Sequence, residues 1–147
     1  MTAVHPLVAT QSFSHGTVEC ADIARTRRFL SQFLGIDVVR PLPEAQYMWK
    51  GGPWSVVCVC VEGDAKTQGP QNHFKLSVRT AAEVDDAHEA ALAQRDEFGI
   101  REITEVRDDG PFRAFRLLDH DGSWWEITNL NQAHYDMLFE KGDRAQA

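Results

Sequence analysis

Apolar and polar positions along the chain fall into two stretches that run through the same periods in the same order. Residues 13–39 open with strand-like alternation and pass Asp22 as a candidate helix cap. They then repeat at helical spacing through Ile23, Phe29, Leu30 and Phe33 to Leu34-Gly35-Ile36. Gly35 is expected to end that helix. From His73 the order recurs: a strand pattern to Val78, Thr80 and Glu83 at capping-box spacing, and a helix through Val84, Ala87, Ala91 and Leu92 that closes on Phe98-Gly99-Ile100. Each Gly-Ile is followed by a strand pattern, over 37–40 in one copy and 101–106 in the other. Two further strands finish each copy, over 46–50 and 54–62 around Gly51-Gly52-Pro53, and over 112–118 and 123–128 around Asp119-His120-Asp121-Gly122. The repeated unit is βαβββ. This predicts an α+β fold in which two tandem units (13–62 and 71–128) form a curled antiparallel sheet around a cleft. They make one domain over 13–130, after a tail over 1–12 and before a short helix and tail over 131–147. The polar, Gly- and Pro-containing stretch between the copies is expected to be a surface connection.

Alternation within a strand decides which residues can enter such a cleft. Val18 and Cys20 oppose His15, Thr17 and Glu19; Phe74, Leu76 and Val78 oppose His73, Lys75 and Ser77; Trp125 and Ile127 oppose Trp124 and Glu126. His15 and His73 therefore hold equivalent positions in the two copies, and Glu126 lies on the inward face of a last strand. Two imidazoles and a carboxylate suit a divalent metal and leave coordination positions open. A lone strand histidine is more often a hydrogen-bonded structural residue, but a carboxylate between Trp124, Trp125 and Ile127 is expected to be buried and to need a cation. Lys75 and Glu19 share faces with the histidines and are candidates for proton transfer. Trp124, Trp49 and Phe112, with Tyr47 and Trp54, are placed to line a site for a flat apolar substrate, with core packing as the competing role.

At these positions the chain resembles the vicinal oxygen chelate superfamily, which includes glyoxalase I, extradiol dioxygenases, fosfomycin-resistance enzymes and bleomycin-resistance proteins. The resemblance covers 13–128, and its marks are His15, the helix ending Phe33-Leu34-Gly35-Ile36, His73, and the run Asp119-His120-Asp121-Gly122-Ser123-Trp124-Trp125-Glu126. It implies a metal held by His15, His73 and Glu126 that chelates neighbouring substrate oxygens and stabilises an oxyanion. Many relatives draw a fourth ligand from the last strand of the first copy, where this chain has Cys58. That favours an Fe(II) dioxygenase acting on a small, vicinally oxygenated aromatic compound. Ring-cleaving relatives usually carry a tyrosine where Arg116 stands, and proline is usual in place of His120. Arg116 and His120 are accordingly the candidate catalytic residues, Arg116 equally a binder of substrate carboxylate or phosphonate. The alternatives are a glyoxalase-like lyase or isomerase using zinc, manganese or nickel, a fosfomycin-type transferase, and a metal-free drug-binding protein. The resemblance also implies a homodimer.

Composition narrows the partners. A formal charge of -7 excludes a phosphate-backbone binder, and Arg25, Arg27 and Arg28 beside Asp22 are the expected solvated face of one helix. No apolar run approaches a membrane span, and residues 1–11 lack a signal-peptide pattern, so a soluble cytoplasmic protein without membrane or nucleic-acid partners is expected. The three cysteines, Cys20, Cys58 and Cys60, sit in strand patterns and are expected to be reduced and mostly buried.

Overall fold

The computed structural model describes residues 7–52 and 55–142, so Pro53, Trp54 and the two chain ends lie outside it. The first copy contains β1 (His15–Cys20), α1 (Ile23–Arg28) running into a π-helical turn (Phe29–Phe33), β2 (Asp37–Leu42), β3 (Ala45–Trp49) and β4 (Ser55–Cys60). The second contains β5 (His73–Ser77), α2 (Ala81–Ala93), α3 (Arg95–Phe98), β6 (Glu102–Ile103), β7 (Arg107–Asp109), β8 (Phe112–Leu118) and β9 (Trp124–Thr128), followed by α4 (Gln132–Lys141). The α+β class and the doubled βαβββ unit are as read from the sequence, with one strand pattern split into β6 and β7.

Local chemistry explains the helix ends. The Asp22 carboxylate accepts from the backbone N–H groups of Ala24 and Arg25, and the Thr80 hydroxyl accepts from Glu83 N–H, so both helices begin on satisfied donors. Gly35 and Gly99 end the helical stretches at φ +63° and +64°, a backbone region that a side chain disfavours.

One expectation is corrected. The strands form two sheets rather than one antiparallel sheet, in the orders β1-β4-β3-β2 and β5-β9-β8-β6, with β7 paired to β8. Each contains a parallel pair, β1 with β4 and β5 with β9. The connectivity dictates this: a helical crossover returns the chain for a second strand in the first direction, and two hairpin reversals bring the fourth strand back to it.

The inward faces of both sheets and the helices share one core that includes Cys20, Phe29, Met48, Cys58, Phe115 and Trp125. Phe29 and Phe33 stack at 5.5 Å and both meet Phe98, so the first-copy helix packs on the end of the second-copy helix. The two tight junctions are the Asp119–Ser123 turn and the connection between copies. Asp119 Oδ1 accepts from Asp121 N–H and Ser123 N–H, while Oδ2 accepts from the Trp125 indole. Gly122, at φ +91°, lies so close to Thr67 that a Cβ would come within 2.5 Å of the Thr67 backbone. Among the described residues no helix is long and apolar enough to cross a membrane.

Asp119→Ala would leave three buried donors without their acceptor, and each unsatisfied group costs about 1–3 kcal/mol. Urea unfolding is expected to show a loss of at least about 3 kcal/mol, only partly recovered in Asp119→Asn, whose single amide oxygen can serve the two backbone N–H groups but not the Trp125 indole as well.

Candidate functional site

The face of the second sheet that points away from the core carries the candidate site. Register places Lys75 of β5 and Arg116 of β8 on either side of Glu126 of β9, so all three share one row and one face. The Glu126 side chain is fully buried. Its Oε2 accepts from Arg116 Nε at 2.6 Å and from Arg107 Nη2 at 2.9 Å, and Lys75 Nζ lies 3.0 Å from Oε1. Burial pushes the Glu126 pKa up, but hydrogen bonds from Arg116, Arg107 and Lys75 outweigh it and hold the group down at about 2. A charge that would be costly alone is thereby retained in a dry position.

His73 stands in the neighbouring row, with Nε2 3.5 Å from Glu126 Oε2. Its Nδ1 lies 2.9 Å from the Pro70 carbonyl oxygen, which can only accept, so Nδ1 donates there and Nε2 faces Glu126. A backbone carbonyl fixing the far nitrogen is the usual way a ligating histidine is oriented. The donor chemistry of His73 and Glu126 therefore fits two corners of a His-His-carboxylate site.

His15 is exposed at the start of β1 in the other sheet, and among the described residues no group of three His, Cys, Asp or Glu side chains is close enough to hold a metal. The expected match of Cys58 with Glu126 is corrected by register: Val57 pairs with Thr17 as Glu126 pairs with Lys75, while Cys58 faces the core and is fully buried. Beside His73 a cavity of about 530 Å³ opens between the two first strands, lined by Thr17, Glu19, Gln68, Asn72, His73 and Trp124. The Trp124 indole donates to Gln68 O, and Glu19 accepts from Lys66 N–H, so both hold the connection in place.

The remaining sequence candidates separate. Arg116 is at the carboxylate. His120 is not: its Nε2 lies 3.1 Å from Asp121 Oδ2 and 3.3 Å from the Thr26 hydroxyl, at the junction of the two copies. Phe112 packs against His134 of α4, and Trp49 is half exposed on the first sheet with its indole donating to Gly52 O. Trp54 lies outside the described residues. The arginines of α1 are exposed as expected, with Arg28 pairing with Glu97 over the Phe98 ring and Arg25 leaning on Gly99. Cys20 and Cys58 are buried and Cys60 partly so. Arg107 was not singled out by alternation, because β7 is a three-residue edge strand too short to show a period. The available signal was a cation within reach of an acid that burial required to be paired.

No protein-family model matches the chain, and no curated protein matches it in sequence. Solved structures do. A fosfomycin resistance protein FosX from Listeria monocytogenes, complexed with Mn(II) and 1S,2S-dihydroxypropylphosphonic acid, aligns at a TM-score of 0.66 and 20% identity over 84% of this chain and 93% of that one. FosX from Mesorhizobium loti aligns at 0.61 and 16% identity, over 86% and 98%. The fold is that of the vicinal oxygen chelate superfamily. An integron cassette protein from the Halifax Harbour sewage outfall metagenome shares it at 0.62 and 16% identity, covering 82% of this chain and 100% of the other. At these identities the likeness to the superfamily is one of architecture.

Because the folded Glu126 titrates at about 2, below an unfolded glutamate near 4.3, its contribution is complete above the unfolded value and is lost as pH falls toward the folded one. Urea unfolding between pH 5 and pH 2 is expected to lose about 3 kcal/mol from this group alone, a slope that Glu126→Gln lacks.

Proposed function

We propose that the protein is a metal-dependent enzyme acting on a small oxygenated molecule, with His73 and Glu126 of one chain and His15 of a second copy as the metal ligands. The observation that carries this reading is His73 Nε2 standing 3.5 Å from the buried Glu126 carboxylate while Pro70 O holds the far nitrogen. The FosX relatives share the fold, and two of those structures hold Mn(II). His15 lies apart from the other two ligands within its own chain, so a complete set needs a second protomer. The outer face of the first sheet is suited to meet one: Val39, Leu42 and Trp49 are about half exposed there, and α4 exposes Leu138 and Phe139.

A divalent ion bound there would supply Lewis acidity to an oxygen of the substrate. The chain's own residues do the rest. Pro70 O keeps the His73 ring in one orientation, burial excludes water from Glu126, and Lys75 with Nζ at 3.0 Å from the carboxylate can hold or release a proton at the edge of the site.

Lewis-acid chemistry without redox change is preferred over ring cleavage, because His120, the candidate acid–base histidine for a dioxygenase, faces Thr26 and Asp121 instead of Glu126. An Fe(II) dioxygenase is the second reading, favoured by the register that puts Val57, a side chain with no donor atom, at the first-copy position equivalent to Glu126. Oxygen uptake by anaerobically Fe(II)-loaded protein with a panel of catechols separates the two, and sustained uptake would select the dioxygenase.

Wild-type protein is expected to take up about one Mn(II) per chain, and His15→Ala, His73→Ala and Glu126→Ala to lose it by tenfold or more in affinity. Coexpressing His15→Ala with Glu126→Ala is expected to restore metal in mixed dimers, since each then retains one intact site. Absence of any recovery on mixing would remove His15 of the partner copy from the proposal.

A further inference from the structure

A second cavity, of about 640 Å³, lies behind the second sheet. Leu76 and Ile127 form part of its floor, and because they directly follow Lys75 and Glu126 along β5 and β9, they point away from the Glu126 row. α2 makes one wall with Ala87 and Ala90, whose short side chains leave the space open. The π-helical turn of the first copy makes the other. There Leu34 N–H bonds to Phe29 O five residues back, a widened turn of the kind often found at functional sites, and it brings Phe33 and Leu34 to the rim.

This space is not sealed. Phe33, Leu34, Leu76, Ala87 and Phe98 are only partly buried, although all five pack against the core. A concave apolar space with few polar groups at its edge has the form of a small-molecule site, whereas a subunit contact needs a broader, flatter face. Two lysines border it. Lys75 directs its ammonium to Glu126 on the other side of the sheet, whereas Lys50 donates to Gly35 O, and among the described residues no carboxylate pairs with it. An unmatched cation beside an apolar cavity, in a chain of net charge -7, is complementary to an acid with a hydrophobic body.

We infer that this trough binds an apolar monocarboxylic acid, with the carboxylate on Lys50 and the hydrophobic body against Leu76, Phe98 and α2. The sheet separates it from Glu126, so the inference goes beyond the proposed enzyme site and stands or falls without the metal. An occupant would bridge the π-helical turn and α2, whose ends already meet where the Phe33 and Phe98 rings lie 5.3 Å apart. The bound protein is therefore expected to be more stable than the free one.

The test is calorimetric titration of the full-length protein with decanoate and with naphthoate, alongside decanol as a tail without a charge. Saturable binding of the acids is expected, with a rise in melting temperature that follows their concentration. Lys50→Gln is expected to weaken decanoate about fivefold, toward the affinity of decanol. Ala90→Trp fills the cavity and is expected to weaken both acids by about tenfold or more. Ala90 and Lys50 are exposed, so both variants are expected to melt near wild type without ligand, and Lys50→Gln remains a test if the larger replacement disturbs α2. The tighter acid decides between an extended chain and a ring as the hydrophobic body. Failure of both acids to saturate, unchanged binding in a folded Ala90→Trp, or decanol binding as tightly as decanoate overturns the inference.

Discussion

Burying an ionised carboxylate sets the terms for everything on the outer face of the second sheet. Removing a lone carboxylate from water costs several kcal/mol, and β9 places Glu126 in a strand whose every residue is buried. The parallel pairing of β5 with β9 and the antiparallel pairing of β8 with β9 meet that cost, because they bring Lys75 and Arg116 to the two flanks of one residue. β7 adds Arg107 from the edge. The short edge strand β7 therefore has an electrostatic role. Without it the carboxylate would lose the donor that shares Oε2 with Arg116.

The same face shows why the two copies diverged in chemistry while keeping one topology. In the first copy the position matching Glu126 is the apolar Val57, while its neighbour Cys58 turns into the core beside Cys20. Hydrogen bonding to Cys58 and burial raise the Cys20 thiol far out of its ordinary range, so this pair behaves as small apolar groups. The outer face of the first sheet accordingly carries Val39, Tyr47, Val57 and Trp49 along its centre, with Glu19 and Asp37 on the same face. One copy supplies charge and donors, the other a mainly apolar surface with His15 at its margin.

Much of this was legible in the sequence because it depends on short-range periods. Caps at Asp22 and Thr80, glycine stops at Gly35 and Gly99, and alternation along β5 and β9 each follow from residues within one turn or one strand. What was not legible depends on register between strands that are distant in sequence. Alternation put Lys75 and Glu126 on polar faces but could not state that they are neighbours, and Arg116 was left between solvent and substrate until its pairing with Glu126 fixed it. His120 was placed near the site by its position in the turn. The turn instead folds over the opposite end of β9, where Asp121 ties the loop to Ala21 N–H and the Thr26 hydroxyl.

That displaced histidine shows how the halves are held so that the outer face stays open. Asp121 is kept below the usual carboxylate range although burial opposes it, through hydrogen bonds from His120, Thr26 and Ala21 N–H. Two of those partners belong to the first copy, so a charged group at the tip of a second-copy turn anchors the β1–α1 junction. The aromatic contacts of Phe29 and Phe33 with Phe98 continue the same seam. With both helices committed to this seam and to the shared core, neither is free to cover the row that holds Glu126.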